Sequence, residues 1–232
     1  MKTSILSILI PVFNEKSTIL GILKSIEKVD LRKIGFEKEV IIVDDGSTDG
    51  TTQLLKDVDK KYKILYHSKN EGKGAAIKTA LKEVTGDYVI IQDADFELNP
   101  QDYEILLSRS LKTNALVVYG SRWLVSGNRH SQPLFYFGGL LLTFLVNLLY
   151  GQKLTDVLAC YKLFKTEILK DIDFEYPRFE FGCEVTVKLS KKGIKIPEVP
   201  IDYQSRKNGS KKIRLKDGFK MFLVLLKYKF KE

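Results

Sequence analysis

Through its first hundred residues the chain alternates short runs of Ile, Val and Leu with stretches of helical periodicity, and this alternation restricts the fold more than any other feature. SILSILIPVF reads as a strand, and 15–28 as a helix with Ile19, Ile22, Leu23 and Ile26 at helical spacing. EVIIVDD is a buried strand, STDGTTQLLKDVDKKY a helix opened by capping residues, KILYH a strand, GKGAAIKTALKEV a helix and DYVIIQD a strand. Strands rich in Ile and Val that alternate with helices pair in parallel, with helices on both faces. The expected class is therefore α/β with a mostly parallel, Rossmann-like central sheet. Ligands of such sheets bind beyond the carboxyl ends of the strands. Four polar clusters, PVFNE, DDGSTDG, HSKNEGKG and QDADFE, all fall at such ends.

After Pro100 the pattern changes. ALVVYGSR reads as another strand with a polar end, and KIPEVPIDYQSR as an extended segment whose prolines suit a sheet edge. The segment 134–150, LFYFGGLLLTFLVNLLY, holds 17 residues without a charge. As a helix it would extend about 26 Å, short of a hydrocarbon core of about 30 Å, so a buried or interfacial helix fits better than a spanning one. From residue 215 onward, Leu215, Phe219, Phe222, Leu223 and Leu226 keep helical spacing, with Lys216, Lys220, Lys227 and Lys231 along one flank.

Composition narrows the function classes. A chain of 232 residues, 44% hydrophobic, can bury one full core, alone or with an extension. The N-terminal run is broken by Pro11, Asn14 and Glu15 and reads as a first strand, not a signal peptide. Cys160 and Cys183 lack metal-type spacing, which argues against a zinc site or disulfide framework and for core thiols in a reduced compartment. Of the net charge of +9, the segment 205–232 carries most, with ten Lys/Arg against two acids. Such a tail suits phosphate groups, anionic lipid or nucleic acid, or is simply a solvated face.

The strand-end clusters carry the chemistry. Asp93, Asp95 and Glu97 are spaced two apart where a buried strand ends, and hard carboxylate oxygens in that pattern suit Mg2+ or Mn2+ shared with substrate phosphates. The plainer alternative is a solvated loop with helix-capping acids. Asp44 and Asp45 end the second strand, where carboxylates can accept hydrogen bonds from a ribose or base edge. Gly46 permits a sharp turn there, and Ser47, Thr48 and Asp49 can cap the following helix. NEGKGAAI departs from both the Walker and dinucleotide fingerprints, and Gly72 and Gly74 are expected to let a loop pass close to a ligand. His67 and His130 are isolated and read as structural or peripheral.

In this order ILIPVFNE, IIVDDGSTDGT, NEGKGAAI and IIQDADFELNP resemble the inverting family 2 glycosyltransferases of GT-A fold. YGSR, LTDVLACYKLFKTEIL, FEFGCEVTVKLSKKGIKIPEVPIDYQSR and GSKKI resemble the polyprenyl-phosphate branch, such as dolichyl-phosphate mannose synthase. The resemblance implies a GT-A domain over 1–212, with a nucleotide-sugar half at about 1–100 and an acceptor half at about 101–212 that contains the apolar helix 134–150. A basic amphipathic helix follows over 213–232, the two helices serving a membrane interface.

The same resemblance implies a GDP-mannose or UDP-hexose donor, with Pro11, Phe13, Glu15, Val43 and Asp45 at the nucleoside. Asp93, Ala94 and Asp95 would flank the diphosphate, and Mg2+ or Mn2+ would sit on Asp93, Asp95 and Glu97. Arg122, Arg206 and Lys212 (or Lys211, one register away) would engage phosphates. Asp95, Arg122 and Asp156 are the candidates for catalysis, Asp156 as a positioning or catalytic carboxylate or only a helix N-cap. Two positions depart from the family pattern: Phe13 stands where tyrosine is frequent, and Glu97 where glutamine occurs. The implied acceptor is a polyprenyl phosphate at the cytoplasmic membrane face, with peripheral attachment or a separate membrane subunit and no nucleic-acid partner. The alternatives are a family 2 transferase acting on a hydroxyl of a non-lipid acceptor, a nucleotidyltransferase that makes the activated sugar, and a non-enzymatic basic module that binds membranes or nucleic acid.

Overall fold

Residues 3–128, 133–205, 212 and 214–230 are described by the structure, a computed structural model. The chain runs β1 (Ser4–Val12), α1 (Ile19–Glu27), β2 (Phe36–Asp44), α2 (Thr51–Lys56), β3 (Lys63–Tyr66), α3 (Lys73–Leu81) and β4 (Tyr88–Ile91). It continues with α4 (Tyr103–Thr113), β5 (Val117–Ser121), α5 (Pro133–Tyr150), β6 (Lys162–Lys165), α6 (Thr166–Lys170), α7 (Phe181–Lys191), β7 (Glu198–Pro200) and α8 (Leu215–Phe230). Seven strands form one sheet in the order β3-β2-β1-β4-β6-β5-β7. All pairings are parallel except those of β6 with β4 and with β5.

The two faces of the sheet explain why its strands are apolar throughout. Along β1, Leu6, Ile8 and Ile10 enter one core and Leu9 the other; along β2, Ile42 opposes Ile41 and Val43 in the same way. Period-two side chains on a sheet covered on both sides leave no polar face. Because β1 pairs with both β2 and β4, the chain proceeds outward from β1 to β3 and then returns to the other side of β1. That reversal opens a crevice at the carboxyl ends of β1 and β4, where open α/β sheets bind ligands.

The structure shifts several boundaries. Helix α1 begins at Ile19 because Asn14 adopts φ 51° and the Glu15 carbonyl accepts the amides of Thr18 and Ile19 at 3.1 and 2.9 Å, making a turn first. The stretch read as a long capped helix after residue 47 is helical only over α2. Strand β6 is not apparent from the sequence pattern, because four residues, KLFK, show too little alternation. Only packing reveals that Leu163 and Phe164 serve opposite cores. Strand β7 takes the sheet edge, as its prolines require.

Helices α5 and α8 lie against one another, the Tyr150 hydroxyl donating to the Leu225 carbonyl. Each is apolar on two sides. Leu142 and Val146 of α5, and Met221, Val224 and Leu225 of α8, are buried. Leu134, Phe137, Leu141, Phe144 and Leu148 form an outward stripe on α5. Leu215, Phe219 and Leu223, part of the helical spacing in the sequence, are likewise the outward side of α8. Among the described residues no helix is long and apolar enough to cross a membrane.

Candidate active site

The crevice at the reversal opens into a cavity of about 730 Å3. The ends of β1 and β4 supply Pro11, Phe13, Glu15, Asp93, Ala94, Asp95 and Glu97 to its lining. Asp45, Arg122 and Lys212 also face it, so residues far apart in sequence share one space. Val43 does not line it and is fully buried in the core under β2. Arg206 lies outside the described residues, as do Lys211 and His130.

Each carboxylate in the crevice has its own setting. Asp45 accepts from the Glu71 and Gly72 amides at 2.9 and 2.8 Å, from Asn70 Nδ2 at 2.9 Å, and pairs with His67 Nδ1 at 2.8 Å. Asp45 is thus the post on which the 67–72 loop is folded, and His67 completes it by reaching Thr79 Oγ1 at 3.0 Å. Asp44 accepts from the Ser47 amide and the Thr52 hydroxyl at 3.1 and 2.5 Å, which stabilises the turn after β2. Gly46 is required in that turn: its φ is +70°, and a Cβ would stand 2.5 Å from the Lys69 carbonyl carbon. Glu15 holds Lys212 at 2.5 Å, and the same ammonium donates to the Phe13 carbonyl. The far end of the chain is thereby drawn onto the tip of β1.

Asp93 pairs with Lys73 at 2.5 Å, and Asp95 Oδ1 accepts the Glu97 amide at 3.0 Å. Among the described residues no group of three or more metal-ligating side chains is gathered. What faces the cavity is a set of hard carboxylate oxygens. It fits a divalent cation of the Mg2+ type, which is usually held by one or two carboxylates with phosphate oxygens completing the shell.

Several supports escape a reading of the sequence. Gln92, fully buried, donates through Nε2 to the Asp93 carbonyl at 2.8 Å and accepts the hydroxyls of Tyr103 and Tyr161 at 2.5 and 2.7 Å. This anchors the backbone that presents the acids. The Leu98–Tyr203 bridge and the 2.9 Å bond from the Gln204 amide to the Glu97 carbonyl tie the same segment to the chain beyond β7. Lys73 sits between Asp93 and Cys160 Sγ, 3.2 Å away. Burial opposes the Lys73 charge, but Asp93 holds its pKa above the ordinary lysine value. Burial, with the Asp93 charge adding to it, pushes the Cys160 thiol up to about 12, so it is a neutral thiol and not a nucleophile. Gly72 and Gly74 admit a close approach, but the approaching group belongs to the chain itself: the Pro177 and Tyr176 carbonyl oxygens, each inside van der Waals contact of where a Cβ would stand. That segment brings Arg178 and Phe179 to the cavity.

Arg122 and Asp156 form the best-defined pair. Arg122 Nε and Nη2 donate to the two oxygens of Asp156 at 2.6 and 2.8 Å, and the Arg122 amide adds a third bond at 3.1 Å. Asp156 is 2% exposed and does not line the cavity, whereas Arg122 does. Burial opposes the Arg122 charge, and Asp156 more than offsets it, so its pKa lies above the ordinary guanidinium value. The guanidinium also lies 5.4 and 5.2 Å from the Trp123 and Tyr203 rings. Glu198 completes the assembly by accepting the Thr155 and Asp156 amides at 2.6 and 2.9 Å.

Helices α5 and α8 contribute to the lining, α5 through Phe135 and Gly139 and α8 through Lys216 and Lys220; Leu158 and Phe179 add apolar surface and Arg214 a further positive charge. The arrangement places carboxylates for a cation, ammonium and guanidinium groups for phosphates, and an apolar flank around one space.

Comparisons with known proteins bear on the family and the fold. The family model described as glycosyl transferase family 2 matches residues 7–173. An uncharacterized protein of Methanocaldococcus jannaschii is 34% identical over 208 residues, covering 84% of this chain and 87% of its own. A dolichol-phosphate mannosyltransferase of Pyrococcus furiosus is 24% identical over 218 residues, covering 92% of this chain but 60% of the relative. Among solved structures, glucosyl-3-phosphoglycerate synthase of Mycobacterium tuberculosis, in complex with Mn2+, uridine diphosphate and phosphoglyceric acid, has a TM-score of 0.74. It is 18% identical and covers 99% of this chain and 80% of that one.

Proposed function

From the premise that this chain belongs to glycosyl transferase family 2, we propose that it moves a hexose from a GDP- or UDP-linked donor to a polyprenyl phosphate, with inversion, at the cytoplasmic face of a membrane. The observation that carries the reading is the composition of the cavity. Donor-side carboxylates share it with residues of α5 and α8, the two helices whose outer sides are apolar. A prenyl chain could follow that flank while its phosphate meets Arg214, Lys216 or Lys220. The similarity to a dolichol-phosphate mannosyltransferase supports the same acceptor class.

Pro11, Phe13 and Glu15, which line the cavity, would border the nucleoside, and Asp93, Ala94 and Asp95, which line it too, would stand beside the diphosphate. Asp93 and Asp95, joined by Glu97, would hold Mg2+ or Mn2+, which when bound neutralises charge on the departing diphosphate. Arg122, aimed by Asp156, and Lys212, aimed by Glu15, supply fixed positive charge to the same end. A phosphate monoester is already anionic near neutral pH, so its oxygen attacks without a strong general base. That agrees with Asp156 being engaged by Arg122 and not presented to the cavity.

A second reading has its own support. The solved structure of similar fold binds phosphoglyceric acid, and the cationic lining would suit a small phosphorylated acid as well as a lipid phosphate. Incubation with labelled UDP- and GDP-sugars, Mg2+ or Mn2+, and either a polyprenyl phosphate or phosphoglycerate separates the two. Label is expected in the organic phase with the lipid, and Asp95→Ala is expected to abolish it while the protein stays folded. Transfer only to the water-soluble acceptor would establish the second reading, and full activity in Asp95→Ala would remove the metal assignment.

A further inference from the structure

The Lys73 ammonium stands 2.5 Å from Asp93 Oδ1, in the position a cation bound to that oxygen would need. Its backbone is held in place. The preceding Gly72 amide is bonded to Asp45 at 2.8 Å, and the Ala75 amide to the Pro177 carbonyl at 2.9 Å. The side chain is different: a lysine carries its charge on a flexible four-carbon stem and can exchange partners without movement of its helix. Mg2+ binds carboxylate oxygens at about 2.0–2.1 Å, so an ammonium in contact with the same oxygen would be in direct like-charge repulsion with it. Before the ion can settle on Asp93, Lys73 must turn to another anion. The diphosphate of a nucleotide donor is such an anion, and it also supplies the oxygens that the two carboxylates leave missing from the shell.

We propose that Lys73 is an internal counter-cation of Asp93, and that it makes divalent-cation binding conditional on the nucleoside diphosphate. The inference rests on the metal reading above and adds an order of events: the nucleotide releases Asp93 from Lys73, and the cation and nucleotide bind as a coupled pair. Coupling of this kind is reciprocal, so the cation tightens the nucleotide by the same factor. The role differs from that of Arg122, whose guanidinium is committed to a carboxylate outside the cavity lining.

The test measures Mn2+ binding to the full chain by electron paramagnetic resonance or calorimetry, without nucleotide and with saturating UDP or GDP. In the parent, Mn2+ affinity is expected to rise about tenfold or more when nucleotide is present. In Lys73→Met, and in Lys73→Gln as a second variant should the first not fold, nucleotide-free Mn2+ binding should tighten about tenfold and the coupling shrink correspondingly. Lys73→Arg, which keeps the charge, should retain the coupling. Mn2+ binding in the folded neutral variants that is no tighter than in the parent would overturn this inference alone, provided the parent binds Mn2+ with nucleotide. A parent that binds no Mn2+ even with nucleotide would overturn the metal reading and this inference together.

Discussion

Replacing Asp156 with asparagine separates a positioning role from a chemical one, because the two predict different effects on stability. The side chain is 2% exposed and its partner Arg122 19% exposed, with two short charged bonds and a backbone bond between them. The amide side chain would fill the same volume and still accept one bond, but the Arg122 charge would lose its counterion in a mostly dry setting. Breaking a buried pair by removing one partner costs about 3–5 kcal/mol, and the partial exposure of Arg122 puts the expected loss near the lower end, about 3 kcal/mol. In a chain of this size each kcal/mol moves the melting temperature by about 2–4 °C, so Asp156→Asn should melt roughly 6–12 °C lower. A double-mutant cycle with Arg122→Gln should return a coupling energy of about 2 kcal/mol. In kinetics, kcat/KM should fall by a similar factor at every pH from about 6 to 9, because Arg122 stays charged throughout that range. An Asp156→Asn enzyme that is as stable as the parent but loses the acidic limb of its pH profile would refute the positioning argument and make Asp156 a general base.

Three further outcomes follow from local geometry. Gly72→Ala should destabilise the fold by about 1–3 kcal/mol in urea unfolding, because its φ of +112° disfavours a side chain and the new Cβ would meet the Pro177 carbonyl. Donor binding should weaken with it, since the 176–178 segment carries Arg178 to the cavity. Burial lowers the Lys162 pKa from 10.5 to about 8, so between those values the unfolded chain holds a proton that the folded chain lacks. Stability attributable to Lys162 should therefore rise by about 3 kcal/mol from pH 8 to 10.5, a rise absent in Lys162→Met when the two are compared by denaturant titration. With its thiol near 12, Cys160 should react with iodoacetamide at mildly alkaline pH at least about a hundredfold more slowly than free cysteine, as followed by mass spectrometry of the 160-containing peptide.

Much of the first hundred residues is legible because the signals there are local. Continuous runs of Ile, Val and Leu mark β1, β2 and β4, period-3.6 patterns mark the helices between the strands, and the polar residues interrupting them mark the strand ends. The identity of the acids can be read there as well, since Asp93 and Asp95 follow a strand whose apolar run is unmistakable. Their partners cannot. Lys73 belongs to a glycine-bearing motif that fails two familiar fingerprints, and nothing in its neighbourhood along the chain points to Asp93, 20 residues on. Gln92 reads as the polar end of a strand, yet its fully buried amide links Tyr103 and Tyr161 to the backbone of Asp93.

By itself, then, the sequence determined most of the strands and helices of the first hundred residues, that the sheet is mostly parallel, and which carboxylates stand at its strand ends. Those outcomes depend on side-chain periodicity and on the parallel pairing it imposes. Only the tertiary structure decided what each charge does: Asp45 holds a loop, Asp156 aims Arg122, Lys212 returns to Glu15, and Lys73 occupies Asp93. The physical reason is that a charge's role depends on its partner and on its access to water. Both are set by contacts across the fold between residues that no local pattern brings together.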